Sequence, residues 1–293
     1  MNSGYPKWAP YLLASPFVVV FAVFMVYPML YSIVLAMQQT FGPKASEFVF
    51  LDNFKNLLTD PFFWKAMRNT FVFAAGSVFI QLPLSLGLAM LLNHEKVKGR
   101  VFFRMVFFSP ALVGTVFIAV MFGLMFNKQG LINFTLHSLF PAFDPEFPWL
   151  ERFVMGSLIL AALWQYVGFN MVYFLAALQN VSRDLLEAAM VDGAGAWARF
   201  MNVTIPAIRP VASFVVLLSL IGSFQLFELA WVILNNSAGP NDQGLTVVMY
   251  LYQKGFVNFE LGSASAIGWA LAVLLMFFAV IQHRIARIGE EHG

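Results

Sequence analysis

Six apolar stretches, each near or beyond the ~20 residues that carry a helix across a bilayer, leave this chain few ways to fold. They run over Pro10–Met37, Met67–Leu92, Val101–Phe126, Phe153–Gln179, Val211–Leu234 and Ala264–Gln282. In hydrocarbon the backbone finds no water to bond, so such a segment satisfies its N–H and C=O groups internally, as a helix. Only 11% of the 293 residues are charged, well under the ~25% of a soluble domain. The expected fold class is all-α: a polytopic membrane protein with six transmembrane helices, forming one transmembrane domain over residues 1–293. The first stretch is not read as a cleaved signal peptide, because its apolar part is about twice a signal core in length. Pro16, Pro28, Pro83 and Pro110 predict kinks inside the helices.

Lys and Arg near the helix ends set the orientation. One side holds Lys7, Lys96, Lys98, Arg100, Arg104, Arg183, Arg199, Arg209, Arg284 and Arg287; the other holds Lys44, Lys55, Lys65, Arg68, Lys128, Arg152 and Lys254. The first set is larger and denser, most clearly in the short loop Asn93–Arg104. Both termini are therefore expected inside, together with the segment around Glu187. Three longer connections lie outside. The first contains a Gly42-Pro43 turn and an amphipathic helix near Asn53–Leu58, the second is rich in Phe, Pro and acids, and the third opens with a turn at Asn235–Pro240. No internal repeat is present, which removes the support an inverted-repeat carrier would need.

The inner segment, residues 181–210, is unusually ordered for a loop. Ser182 is a good N-cap and Asp184 complements the helix dipole. A short helix follows through Leu185, Leu186, Ala188 and Ala189, and Gly193 ends it in a left-handed conformation. A second short turn is expected over Trp197–Val203, with Pro206 opening the next long helix. Ala188 and Ala189 leave a shallow face for another backbone, and Glu187 offers a carboxylate to a partner's Arg or Lys. The residues alone also allow a plainer reading, a structured loop that caps its own bundle.

Glu187-Ala188-Ala189, three residues, Gly193, nine residues, Val203, one residue and Ile205-Pro206 resemble the cytoplasmic signature of ABC importer permeases. The likeness covers nearly the whole chain. Asn53-Phe54, Phe63–Thr70, Gly99–Arg104, Phe174–Gln179 and Ser223–Glu228 with Gly239-Pro240 are similar to carbohydrate-type permeases, in the shorter form shared by oligosaccharide and glycerol-phosphate importers. Val203 and Ile205 stand where Ile and Leu are commoner. The resemblance implies a type I ABC importer permease fold and an ATPase-coupling role for Glu187, Ala188, Ala189, Asp192 and Gly193. Its implied partners are a second homologous permease, two ATPase subunits, an extracellular or periplasmic solute-binding protein, membrane lipid and a carbohydrate. Its implied location is the cytoplasmic (inner) membrane of a bacterium or archaeon.

No Gly-x4-Gly-Lys-[Ser/Thr] loop is present, so the chain has no visible means of gripping ATP. It is read as a transport subunit and not an enzyme. No cofactor of its own is expected, and ATP and Mg²⁺ are held by the partner ATPases. A net charge of +2 gives no reason to expect a nucleic-acid partner. His94, His137, His283 and His292 do not cluster in the sequence and are read as solvated or interfacial.

Polar side chains inside apolar stretches are costly in lipid and tend to face a cavity or another helix. The fourth stretch offers Gln165, Tyr166 and Phe169; the fifth offers Phe224, Gln225 and Glu228, expected within a turn of one another on one helix face. Aromatic faces with amides and a carboxylate suit a neutral polyol, and the family resemblance puts substrate contacts at these positions, by place and not by residue type. Gln81 is assigned to helix packing. The function expected is import of a di- or oligosaccharide. Glycerol 3-phosphate is the alternative, disfavoured by the lack of an intramembrane cation, and a proton-coupled carrier using Glu228 stands behind both.

Overall fold

Helices occupy the apolar stretches, and their bounds depart from expectation where proline, glycine or a polar face intervenes. The computed structural model describes residues 8–40 and 46–290. Lys7, the Gly42-Pro43 turn, Lys44 and His292 lie outside the described residues, as do the side chains of His283 and Arg287.

In chain order, α1 (Ala9–Ala36) is followed by a small antiparallel pair, β1 (Gln38–Thr40) and β2 (Ser46–Phe48), with Gln39 opposite Glu47. The expected amphipathic helix is α2 (Asp52–Thr59). The second span is α3 (Pro61–Asn93). The third stretch is not one kinked helix: α4 (Arg100–Leu112) and α5 (Thr115–Met125) meet at 96°. Pro110 ends the helical hydrogen bonding in a 3₁₀ turn, and Val113 and Gly114 are extended. Next come α6 (Leu131–Leu139) and the single turn α7 (Trp149–Arg152). The fourth span, α8 (Val154–Gln179), agrees with its expected bounds.

The inner loop holds α9 (Arg183–Val191), and α10 (Ala196–Phe224) follows. Short helices α11 (Glu228–Ile233) and α12 (Val247–Tyr252) precede α13 (Leu261–Glu290). The fifth span thus starts fifteen residues earlier than Val211 and stops at Phe224, well short of Leu234. Among the described residues, five helices are long and apolar enough to cross a membrane, and the bent pair α4–α5 makes up to six.

Three wide, five-residue turns interrupt the spans, at Ala22–Val26, Ser77–Gln81 and Phe200–Thr204. Each sits directly ahead of a proline at the second position of the following helix: Pro28, Pro83 and Pro206. A proline ring collides with the carbonyl four residues back and brings no N–H. Widening the preceding turn clears that carbonyl while the neighbouring backbone groups still pair.

The chain divides into two compact units. In the unit of residues 1–60 and 251–270, Asn53 is buried and its amide donates to the Ala36 and Gln38 carbonyls, both at 2.9 Å. That ties α2 to the end of α1. Trp269 Nε1 donates to Ser32 Oγ at 3.1 Å, and Gly262 lies so close to the Gln38 carbonyl that a Cβ there would overlap it.

In the unit of residues 61–250 and 271–293, α8 is the hub, with over half of its best membrane window buried. Leu82, Ala89 and Leu92 of α3 pack on Met171, Phe174, Leu175 and Leu178 of α8, with Ile208 and Val215 of α10 completing the cluster. Small residues (Ser85, Ala89, Ser157, Ala161) are fully buried and let these backbones approach, as packing in lipid requires. Within α6, Asn133 is fully buried. It donates to the Lys128 and Phe147 carbonyls at 2.9 and 3.0 Å and accepts from Trp149 Nε1 at 2.7 Å.

Candidate functional site

A cavity of about 440 Å³ opens within the larger unit where three elements leave regular α geometry together. The wide turn Ser77–Gln81 of α3 faces it, Thr115 reaches it from the α4–α5 bend, and residues 225–229 line it just past the end of α10. Irregular backbone at membrane depth is tolerated only where it is buried in protein or lines a polar cavity. The volume lies in the range of small-molecule sites, ~300–1,000 Å³.

The break after α10 is well supported. Gln225 N donates to the Ile221 and Gly222 carbonyls at 3.1 and 3.2 Å, and Leu226 N donates to Ser223. Phe227 then leaves helical geometry at φ −141°, ψ −68°. The freed Leu226 carbonyl accepts from Thr246 Oγ1 at 2.7 Å, and Thr246 in turn caps Met249 N at 3.2 Å. Asn69 holds the segment ahead of α12 by donating to the Asp242 and Leu245 carbonyls at 2.9 and 3.0 Å. Phe224, Gln225 and Glu228 therefore do not share one helical face. Phe224 ends α10, and Glu228 opens a separate short helix.

Of the six residues expected at the cavity, Tyr166, Phe169, Gln225 and Glu228 line it. Phe224 does not: it is fully buried, edge-on to Phe71 at 5.1 Å and against Phe278 at 5.7 Å. Gln165 stands behind the wall, where its Nε2 donates to Thr115 Oγ1 at 3.1 Å and its Oε1 is buried without a partner. Sequence reasoning missed Ser77, Thr115, Asn170 and Ser219, small polar side chains that pass unremarked in apolar stretches. Gln81, assigned to helix packing, also lines the cavity. Glu228 is the only Asp, Glu, Lys or Arg among the lining residues, and Phe73, Tyr166, Phe169 and Phe227 are the cavity's aromatic residues.

The inner loop forms a second site. Ser182 Oγ accepts from Leu185 N at 3.5 Å, at the long end for a cap, and Asp184 lies in the first turn of α9. Gly193 is left-handed at φ +80°. Gly193 N donates to the Met190 carbonyl and Ala194 N to Ala189 at 3.1 and 2.9 Å, the paired bonds that close a helix around a left-handed glycine. The expected second turn over Trp197–Val203 is not a separate element. It is the inner end of α10, joined to it through the wide turn at Phe200–Thr204.

Glu187, Ala188, Asp192 and Gly193 are exposed, Ala189 is half-buried, and α9 buries no residue fully. Leu185, Met190, Val191 and Trp197 are also exposed, Val191 at 89%. Arg183 pairs with Glu95 at 2.8 Å, but both are solvated, so the pair positions α9 only weakly. An amphipathic helix with its apolar face bare is the kind of patch that marks an interaction surface. Among the described histidines, His94 Nδ1 accepts from Lys96 N at 3.2 Å and the His137 ring bonds the Phe143 carbonyl at 2.8 Å; both serve local turns.

Residues 10–288 match the model of the family described as "binding-protein-dependent transport system inner membrane component". The chain is 36% identical to the arabinooligosaccharides transport system permease protein of Bacillus subtilis, over 98% of this chain and 91% of that protein. It is 32% identical to the sn-glycerol-3-phosphate transport system permease protein of Salmonella typhimurium, over 97% of each. A chain from the crystal structure of a bacterial ABC transporter involved in import of the acidic polysaccharide alginate superposes with a TM-score of 0.82. It is 22% identical, over 96% of this chain and 95% of that one, and shares the type I importer permease fold.

Proposed function

The chain belongs to the family of binding-protein-dependent transport system inner membrane components, and on that premise we propose that it passes a di- or oligosaccharide across the cytoplasmic membrane as the permease subunit of an ATP-binding-cassette importer. The observation that carries the cargo class is the cavity at the helix breaks. Tyr166 and Phe169 offer ring faces to the C–H surfaces of a sugar, and Gln225, Asn170 and Glu228 offer amides and a carboxylate to its hydroxyls. The arabinooligosaccharide relative supports the same class.

Energy enters at the inner loop. Glu187 and the Ala188–Ala189 face meet a cleft of an ATPase subunit, which binds ATP and Mg²⁺, and the exposed Val191 and Trp197 add apolar contact. Because α10 continues through its wide turn at Phe200–Thr204 as far as Phe224, a push at its inner end is delivered to residues 225–228 on the cavity wall. Two ATPases closing on nucleotide move this chain against a second, homologous permease and open the cavity outward. A periplasmic or extracellular solute-binding protein then releases its sugar there, and hydrolysis resets the pair. Both termini lie inside in a bacterial or archaeal membrane.

Glycerol 3-phosphate is the second reading, favoured by the 32% identity to the Salmonella permease. The cavity argues against it, because the only full charge on its wall is the Glu228 carboxylate. A proton-coupled carrier would need a relay, and Glu228 has no second acid or base beside it on that wall. Proteoliposomes holding the assembled importer should take up labelled arabinotriose or lactose with ATP and leave glycerol 3-phosphate outside. Gln225→Ala and Glu228→Ala should each lower uptake about tenfold. Glycerol 3-phosphate uptake with the sugars excluded would reverse the choice of cargo, and sugar uptake driven by a proton gradient without ATP would end the importer reading.

A further inference from the structure

Gln81 is 4% exposed, yet it lines the cavity. Among the described residues its backbone carbonyl accepts from Ser85 Oγ at 2.8 Å, while its carboxamide has no protein partner. Gln165 is the contrast: it is equally buried, its Nε2 is engaged with Thr115 and its Oε1 is sealed off without a partner, whereas the Gln81 carboxamide is not sealed off. An amide carries two donors and an acceptor, and leaving them unmet in an apolar interior is expensive. Such a group persists where something polar comes to meet it.

The wide turn explains how the side chain gets there. In an uninterrupted α-helix, advancing ~100° per residue, Gln81 would lie ~80° around the axis from Phe73. The turn Ser77–Gln81 has one residue too many per hydrogen bond and slows that rotation. Phe73, Ser77 and Gln81 consequently form one stripe, and all three line the cavity.

We propose that Gln81 is a solute-contacting, specificity-setting residue, through which the second span reads a hydroxyl of the transported sugar. The role rests on the carbohydrate-passage reading of the cavity, and position 81 can be examined separately from the identity of the sugar. The chain contains no cysteine, so one introduced thiol reports on one position.

In the assembled importer, Gln81→Cys should react with a water-soluble methanethiosulfonate, and saturating arabinotriose should slow that reaction several-fold. Gln81→Leu should raise the half-saturating arabinotriose concentration about tenfold, with Gln81→Asn recovering part of the loss. An inert Gln81→Cys beside a reactive Gln225→Cys would return Gln81 to helix packing and leave the cavity reading standing. Inertness at both positions would sink the cavity reading and the role of Gln81 with it. Equal reaction at Phe79→Cys, on the exposed side of the same turn, would also overturn the proposal, because the turn would then have no cavity side. An importer that takes up none of the sugars while Gln81→Cys reacts places the fault in the cargo class and keeps Gln81 on the solute path.

Discussion

At Gly168 a single missing methyl group decides whether two spans can pack. A Cβ there would overlap the Phe107 carbonyl, where the end of α4 crosses the middle of α8. Overpacking a tight site costs about 1–3 kcal/mol, so Gly168→Ala should lower the unfolding temperature of the purified protein by several degrees. Gly87→Ala, which meets nothing within 4 Å, should be neutral or mildly stabilising; equal melting of the two variants would mean that α4 and α8 do not cross this closely. The same scale shows what a sequence hides. Gln81 and Gln165 are both lone amides in apolar stretches, and nothing in their neighbours distinguishes them. The difference lies in Thr115, fifty residues from Gln165, which engages one amide and not the other. Tyr166, Phe169, Gln225 and Glu228 were legible at the cavity because large or charged groups stand out in an apolar run. Ser77 and Ser219 do not stand out, and Phe224 was indistinguishable from its many aromatic neighbours.

Among elements, local chemistry was read well and long-range breaks poorly. The Ser182 cap and the Gly193 stop are written into single residues, and α9 begins and ends beside them. The fifth span was misplaced at both ends for physical reasons. Arg199, Asn202 and Arg209 make the inner end of α10 look like a loop, although a helix that projects beyond the bilayer has no need to be apolar. Phe224–Ile233 contains no proline or glycine, so its break is visible only through Thr246, which accommodates the freed carbonyl. The single span that links loop and cavity makes the stop at Gly193 a sensitive point. Gly193→Pro removes the N–H bonded to Met190 and forbids φ +80°. That variant should assemble and still receive solute from its binding protein, yet lose most solute-stimulated ATP hydrolysis. Gly193→Ala, strained by about 1 kcal/mol, should lose only part. Undiminished stimulation in Gly193→Pro would remove the loop from the transmission path.

For the whole molecule, the count of basic residues predicts an orientation that labelling can check. Val191→Cys, in the inner loop, should be modified only by reagent on the cytoplasmic face of sealed vesicles, and Ala142→Cys, exposed between α6 and α7, only from the other face. The opposite pattern would invert the protein and move the proposed ATPase surface outside. A second molecule-wide pattern is the wide turn ahead of Pro28, Pro83 and Pro206 in three different spans. Pro83 is exposed and lies off the cavity wall, yet it is the reason the turn before it is wide. Replacing it with alanine would let α3 tighten to a regular helix and swing Gln81 away from its stripe. Selectivity would then depend partly on a residue off the cavity wall, so that drift at a position away from the cargo would alter what is carried.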